Sequence, residues 1–284
     1  MTPFVNLKSK IKSQLKRSAA IVSFVHRWRS LKRRLGIMKY PKIRGGEIEF
    51  FNHIQDSIGV LVDVGVRFDT DYIKLSTGKG KRYYLFEASP RYYKKLLKNL
   101  AGFPDDIFAY SLAVGEKGGL VDYFEDSESV LANTTVIRNS KLQIEMVRLD
   151  EFLLGKGVTR VDFLKSDVEG YDYFVLVGFG EFIKNCKYIQ FELGIGAPFH
   201  ERFVQNEDYF SLLERNYRLY LLKDEFCPIW SDGEITDLLV NLDDNAKSII
   251  FDLQKQGIGF NIVGVNKSIT LPISISVATL PNRG

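Results

Sequence analysis

With 284 residues, 45% of them hydrophobic and 13% aromatic, the chain can bury one substantial core, and a single catalytic-size domain is the default expectation. Two cysteines, Cys186 and Cys227, without a C-x-x-C or Cys/His cluster, argue against a disulfide framework or a zinc site and for a cytosolic setting. No apolar run approaches the roughly 18 residues of a membrane span, and the start lacks the apolar region and cleavage site of a signal peptide.

The net charge of +4 is unevenly placed: residues 1–44 hold 13 Lys and Arg and no acid, leaving 26 basic against 35 acidic residues in the remainder. This first segment reads as a separate basic arm. Leu7, Ile11, Leu15 and Val22, then Phe24, Trp28, Leu31 and Leu35, recur at helical spacing between the charges. The two apolar sets lie on different sides of an ideal helix, so a bend or two short helices is expected. Such an arm suits an anionic membrane surface, at about 1 kcal/mol for each Lys or Arg near the surface. It also suits packing on its own domain or on a partner. Nucleic acid is disfavoured as a partner, because stacking aromatics and a reading motif are missing.

From residue 45 to 284 strand and helix patterns alternate. Ile58 to Val64 is an apolar strand, Thr70 to Thr77 looks helical, Arg82 to Phe86 is a second strand, and Pro90 to Asn99 is a helix with proline at its start. Ile107 to Val114 is a third strand. Gly118 to Phe124 and Gln143 to Leu149 read as a β-hairpin insertion. Val161 to Ser166 and Lys187 to Glu192 are the fourth and fifth strands, with a helix around Tyr171 to Ile183 between them. A helix at Asp208 to Asn216, a strand at Arg218 to Leu222, an ambiguous stretch to Gln256 and a strand at Phe260 to Val265 follow. This order predicts a mostly parallel sheet with helices on both faces. In such sheets ligands bind beyond the carboxyl ends of the strands.

Four of those ends carry acids: Asp63, Glu87, Asp167 and Glu192. Glu87, just over twenty residues beyond Asp63-Val-Gly65, stands where a doubly wound domain binds ribose hydroxyls, since a carboxylate accepts both hydrogen bonds.

The segments LVDVG, LFEASPRYYKKLLKNL, YSLAVGEKGG, MVRLDEFL, VDFLKSDVEGYDYFVLVGF and YIQFE resemble, in that order, the motifs of the FkbM family of S-adenosylmethionine-dependent methyltransferases. The resemblance covers Leu61 to Glu192 and is most specific at D-F-L-K-S-D-V-E-G. It implies a Rossmann-like class I methyltransferase fold with a seven-stranded sheet and S-adenosylmethionine at its carboxyl edge. Carried over, Asp63 and Gly65 shape the first turn, Glu87 takes the ribose hydroxyls, Ala88 and Ser89 flank the adenine, and Ser111 and Leu112 close its other side. Asp167 faces the sulfonium and the acceptor, and Glu169 begins the next helix. Three positions depart from the family: Arg67 stands where it has Asn, Asp69 where it has Gly, and Ala88 where it has Pro. Asp69 would repel the cofactor carboxylate, cap the following helix or pair with the cofactor ammonium, while Arg67 could bind the carboxylate as a fork.

Methyl transfer to an alcohol needs oxygen, carbon and sulfur held in line, and positioning alone is worth roughly 7–11 kcal/mol. A base adds about 10²–10⁴-fold. Asp167, Glu169, Glu192 and His200 are the candidates. Lys165, inside the fourth strand, either pairs structurally with an acid or joins the chemistry. A divalent metal held by Asp167 and Glu192 is a second-ranked alternative. The acceptor implied by the resemblance is a sugar hydroxyl of a surface glycan, polysaccharide or glycolipid, with a glycosyltransferase as candidate partner. The expected location is cytoplasmic, with the arm able to hold the protein peripherally at the membrane face. Two other readings are weighed: Asp69-Thr70-Asp71 as the metal-binding D-x-D of a glycosyltransferase, and a methyltransferase-like domain that lost cofactor binding through Asp69 and serves as a binding module.

Overall fold

The computed structural model describes residues 46–76, 80–103, 106–124, 141–193, 204–224, 227, 229–230, 235–255 and 258–281. The basic arm and His200 lie outside the described residues.

Twelve strands form among the described residues: β1 Val60–Val64, β2 Arg82–Phe86, β3 Ile107–Tyr110, β4 Ala113–Gly115, β5 Gly119–Phe124, β6 Lys141–Arg148, β7 Phe163–Ser166, β8 Tyr188–Leu193, β9 Tyr217–Leu222, β10 Leu239–Asn241, β11 Phe260–Asn266 and β12 Val277–Ala278. Nine of them make one sheet in the order β12-β10-β9-β11-β8-β7-β1-β2-β3. The seven strands from β3 to β9 are those expected, with β11 antiparallel to both neighbours. Two short strands, β10 and β12, extend the far edge beyond that expectation.

β1 lies between β7 and β2, with all five residues buried. A strand covered on both faces reads as a continuous apolar run. Alternate residues divide between two cores: Val62, Val64, Tyr84, Phe86 and Leu164 on one face, Leu61, Tyr83, Leu85 and Phe163 on the other. The helix Gly46–Ile54 lies against the second face, where Phe50 and Phe51 are fully buried. Its start is tied to the far side of the sheet by Gly46 N–H donating to the Lys223 carbonyl at 3.0 Å.

Local sequence sets the helix starts. Ser89 caps the helix Pro90–Leu100, accepting from Tyr92 N–H, with proline in the first turn where its missing N–H costs nothing. Asp243 caps Asp244–Gln254 by accepting from Ala246 N–H at 2.8 Å.

The expected third strand ends early. It stays in the main sheet through Tyr110, and after Ser111 and Leu112 the chain enters a second sheet of order β4-β6-β5. β5 and β6 form the expected antiparallel hairpin. The expected long helix after Tyr171 also divides, into a helix Asp172–Gly178 and a 3-10 turn Gly180–Lys184. Gly180, which opens the second of them, has φ 53, a left-handed conformation that an α-helix cannot continue through.

Candidate active site

The backbone ladder continues past the strand ends and fixes the loops there. Gly65 N–H donates to the Phe86 carbonyl (2.9 Å), Glu87 N–H to the Tyr110 carbonyl (3.0 Å) and Asp167 N–H to the Val64 carbonyl (3.0 Å). The turns after β1 and β7 then touch: a Cβ on Gly65, whose φ is +84, would lie 2.0 Å from the Asp167 carbonyl oxygen. Only glycine fits both the conformation and the approach.

Between these turns and the second sheet lies a solvent-open cleft. Seven of the residues expected at the site line it: Gly65, Arg67, Glu87, Ala88, Leu112, Asp167 and Glu169. Glu87 is almost fully buried. Its two carboxyl oxygens each accept a backbone N–H, Arg67 at 2.6 Å and Ser89 at 2.7 Å. Burial pushes its pKa up against the opposing pull of those two hydrogen bonds. Each oxygen keeps a further lone pair for a ligand hydroxyl.

Arg67 and Glu169 are the positive-φ residues other than glycine among the described residues, at 57° and 55°. They face each other, with Arg67 Nη2 3.4 Å from Glu169 Oε1 and both side chains part-exposed. The Arg67 guanidinium also stands 5.7 Å from the Tyr92 ring centre.

The other expected residues fall elsewhere. Ser89 is buried as the helix cap, and Ser111 is exposed and outside the cleft lining. Asp63, Asp69 and Lys165 line a second, smaller cavity on the opposite face of β1. Asp63 and Lys165 are direct partners across the parallel β1–β7 pair, so their side chains leave the sheet on the same side. Lys165 Nζ stands 4.0 Å from Asp63 Oδ1 and 3.2 Å from Asp167 Oδ2. The Lys165 ammonium thus reaches from the second cavity to the acid of the first. Burial works against its charge, but Asp167, Asp63 and Glu47 together more than offset it and hold the amine protonated. One cation serves three carboxylates, and burial pushes Asp63 up to about 7. Asp63 Oδ1 has no hydrogen-bond partner.

Asp69 Oδ1 accepts from Asp71 N–H at 2.9 Å, at the start of the helix Asp71–Ser76. Asp71 pairs with Lys74 at 3.2 Å. Both acids of the D-x-D therefore have local structural work, and Asp69 points away from the cleft that holds Arg67.

Glu192, near the end of β8, is outside the cleft lining. Burial first, then the negative charges of Asp167, Glu169 and Asp172, push its carboxyl well above the usual range. Asp172 is fully buried behind the β7 turn, accepting from Ser166 Oγ at 2.7 Å and Gly170 N–H at 3.3 Å. Burial raises it to about 7. Among the described residues no three His, Cys, Asp or Glu side chains come together in a way that could hold a metal ion.

Eight lining residues escaped the sequence reading, among them three tyrosines, Tyr92, Tyr123 and Tyr171. Tyr92 had a signal, its place three residues after the cap Ser89. Tyr123 reaches the cleft only through the pairing of the second sheet, which no local pattern reveals.

Residues 58–219, more than half of the chain, match the family model described as a methyltransferase FkbM domain. No curated protein matches the chain. Among solved structures, the chain is similar to an O-methyltransferase from Bacillus cereus in complex with SAH, at 10% identity and TM-score 0.40, covering 89% of this chain and 90% of that one. It is also similar to a geranyl diphosphate methyltransferase in complex with SAM, at 10% identity and TM-score 0.41 over 78% and 84% of the two chains. A third is fibrillarin from Aeropyrum pernix with natively bound S-adenosyl-L-methionine, at 13% identity and TM-score 0.37 over 73% and 66%.

Proposed function

The chain belongs to the family of methyltransferase FkbM domains, and from that premise we propose that it transfers a methyl group from S-adenosylmethionine to a hydroxyl oxygen on a sugar. The observation that carries the cofactor assignment is Glu87: a buried carboxylate pinned by two backbone N–H groups at the end of β2, with lone pairs left for a vicinal diol. Gly65 supports it, since its missing side chain lets the turn after β1 pack directly on the Asp167 carbonyl and brings the two turns of the site together. The residues present therefore fit the group. Glu87, Asp167 and Glu169 also give the cleft a negative lining that suits a cation.

When bound, S-adenosylmethionine supplies an electrophilic methyl on a sulfonium whose charge disappears as the methyl leaves. The chain's part is to bind, orient and take up a proton. Glu87 would orient the ribose, and Ala88 and Leu112 would border the adenine. Asp167, whose side chain is 47% exposed and held at one oxygen by Lys165, has its second oxygen available to accept the proton of the acceptor hydroxyl. Such a base contributes about 10²–10⁴-fold. Glu192, with its carboxyl raised by burial and by the neighbouring acids, lies outside the cleft lining, which favours Asp167 for this role.

The sugar acceptor, on a surface glycan, polysaccharide or glycolipid, is supported by the resemblance of the motifs. A glycosyltransferase partner and an anionic membrane docked by residues 1–44 are part of the same proposal. Among the described residues no helix is long and apolar enough to cross a membrane.

Thermal shift with S-adenosylmethionine, S-adenosylhomocysteine, and nucleotide sugars plus Mn²⁺ tests the donor. Stabilisation by the adenosyl compounds alone is expected. Stabilisation by a nucleotide sugar alone would sink the reading. Flotation with anionic liposomes, with and without residues 1–44, tests the arm, and equal flotation would remove its anchoring role.

A further inference from the structure

Arg67 and Glu169 join the turn after β1 to the turn after β7 across the cleft. Both hold left-handed backbone conformations, φ 57 and φ 55, which cost free energy in residues with a Cβ and persist only where the surroundings hold them. Arg67 is held by its own N–H on Glu87 at 2.6 Å. Its guanidinium stands at a cleft otherwise lined by carboxylates, tyrosines and apolar groups, and it is the one cationic residue in that lining among the described residues.

The pair itself is weak. The contact is 3.4 Å, and the side chains are 35% and 49% exposed, the regime in which an ion pair contributes little. A guanidinium offered a carboxylate in fork geometry makes two parallel charge-assisted bonds, a stronger interaction than the 3.4 Å contact to Glu169. We propose that the Arg67–Glu169 pair is an exchangeable latch: the carboxylate of the cofactor's amino-acid end displaces Glu169 from Arg67, and the released Glu169 carboxylate turns toward the acceptor side. Cofactor binding and the placement of a second acid beside Asp167 then become one event. This rests on the methyltransferase reading and adds the carboxylate subsite and its coupling to Glu169.

Calorimetry on the full chain tests it with two probes. S-adenosylhomocysteine carries the carboxylate; 5′-methylthioadenosine has the same adenosine and sulfur but no amino-acid end. Arg67→Gln should weaken S-adenosylhomocysteine binding roughly ten- to hundredfold, the loss of a charge-assisted fork, and leave methylthioadenosine unchanged. Glu169→Gln should strengthen S-adenosylhomocysteine about two- to fivefold by removing the competing ion pair, again with methylthioadenosine unchanged. Unchanged methylthioadenosine binding also shows that each variant is folded. If Glu169→Gln weakens S-adenosylhomocysteine or leaves it unaltered, or if Arg67→Gln weakens both probes equally, the latch is overturned while the cofactor reading stands. If the wild-type chain binds neither probe, the cofactor reading falls and the latch with it.

Discussion

Replacing Asp172 by Asn should change the pH dependence of stability more than stability itself. The Asp172 carboxyl is fully buried, and its folded pKa is raised from 3.8 to about 7. A carboxyl raised in this way contributes stability that is fully present below about pH 4, where folded and unfolded chains are both protonated, and lost as pH climbs through 7. In that window the folded chain holds a proton that the unfolded chain has released, so each pH unit removes about 1.4 kcal/mol, and the whole window on the order of 4 kcal/mol. Asn keeps the shape and an acceptor for Ser166 Oγ, now 2.7 Å from the carboxyl, but cannot ionise. Urea unfolding at pH 5, 6, 7 and 8 reads the effect. The variant is expected to gain on the wild type by about 1.4 kcal/mol per pH unit between 5 and 7, with the gain levelling off by pH 8. Asp63, also raised to about 7, lends its slope to both proteins and drops out of the difference. Parallel curves across the range would refute the assignment of this proton to Asp172.

Gly65→Ala places a Cβ 2.0 Å from the Asp167 carbonyl at φ +84; a loss of about 2–4 kcal/mol is expected, read by denaturant melts, together with loss of S-adenosylhomocysteine binding by calorimetry. Glu87→Ala leaves the N–H groups of Arg67 and Ser89 without their acceptor, at roughly 1–3 kcal/mol for each that water does not reach, and should lower affinity for both adenosyl probes; binding at wild-type strength would contradict the ribose role. Cys186 and Cys227 are both buried, with burial pushing the Cys227 thiol up to about 12 and Cys186 higher still; an aromatic disulfide reagent should find no reactive thiol in the native chain and two after denaturation.

The central strands were legible because burial on both faces writes long apolar runs, and Glu87 because a carboxylate ending such a run has few reasons to be there. What the sequence reading lacked was parity. Asp63 is an odd neighbour of Val64 in the same strand, and side chains alternate, so the acid faces the second cavity while Val64 lines the cleft. The same rule carries Lys165 to Asp63's side and leaves Asp167, beyond the strand, to turn toward the cleft. The stretch before Gln256 stayed ambiguous because β10 is three residues long, too short for any periodicity. The helix after it does carry a start signal in Asp243. The paired left-handed conformations of Arg67 and Glu169 had no local signature, although the family's Asn at the Arg67 position is the residue type that tolerates this backbone best.

On the proposed ribose role of Glu87, its clamp would make the cleft a selector as well as a holder. Its carboxylate has already been taken from water during folding, and the two N–H groups satisfy only part of its capacity. A nucleoside bringing both ribose hydroxyls would complete the shell, whereas a 2′-deoxy nucleoside would cover the same carboxylate and leave a lone pair dry. Sites built to meet a hydroxyl reject the ligand that lacks it far more sharply than apolar pockets reject a missing methyl. On the proposed ribose role, discrimination between ribose and deoxyribose ligands would be set through two backbone amides, from Arg67 and Ser89, that belong to different loops.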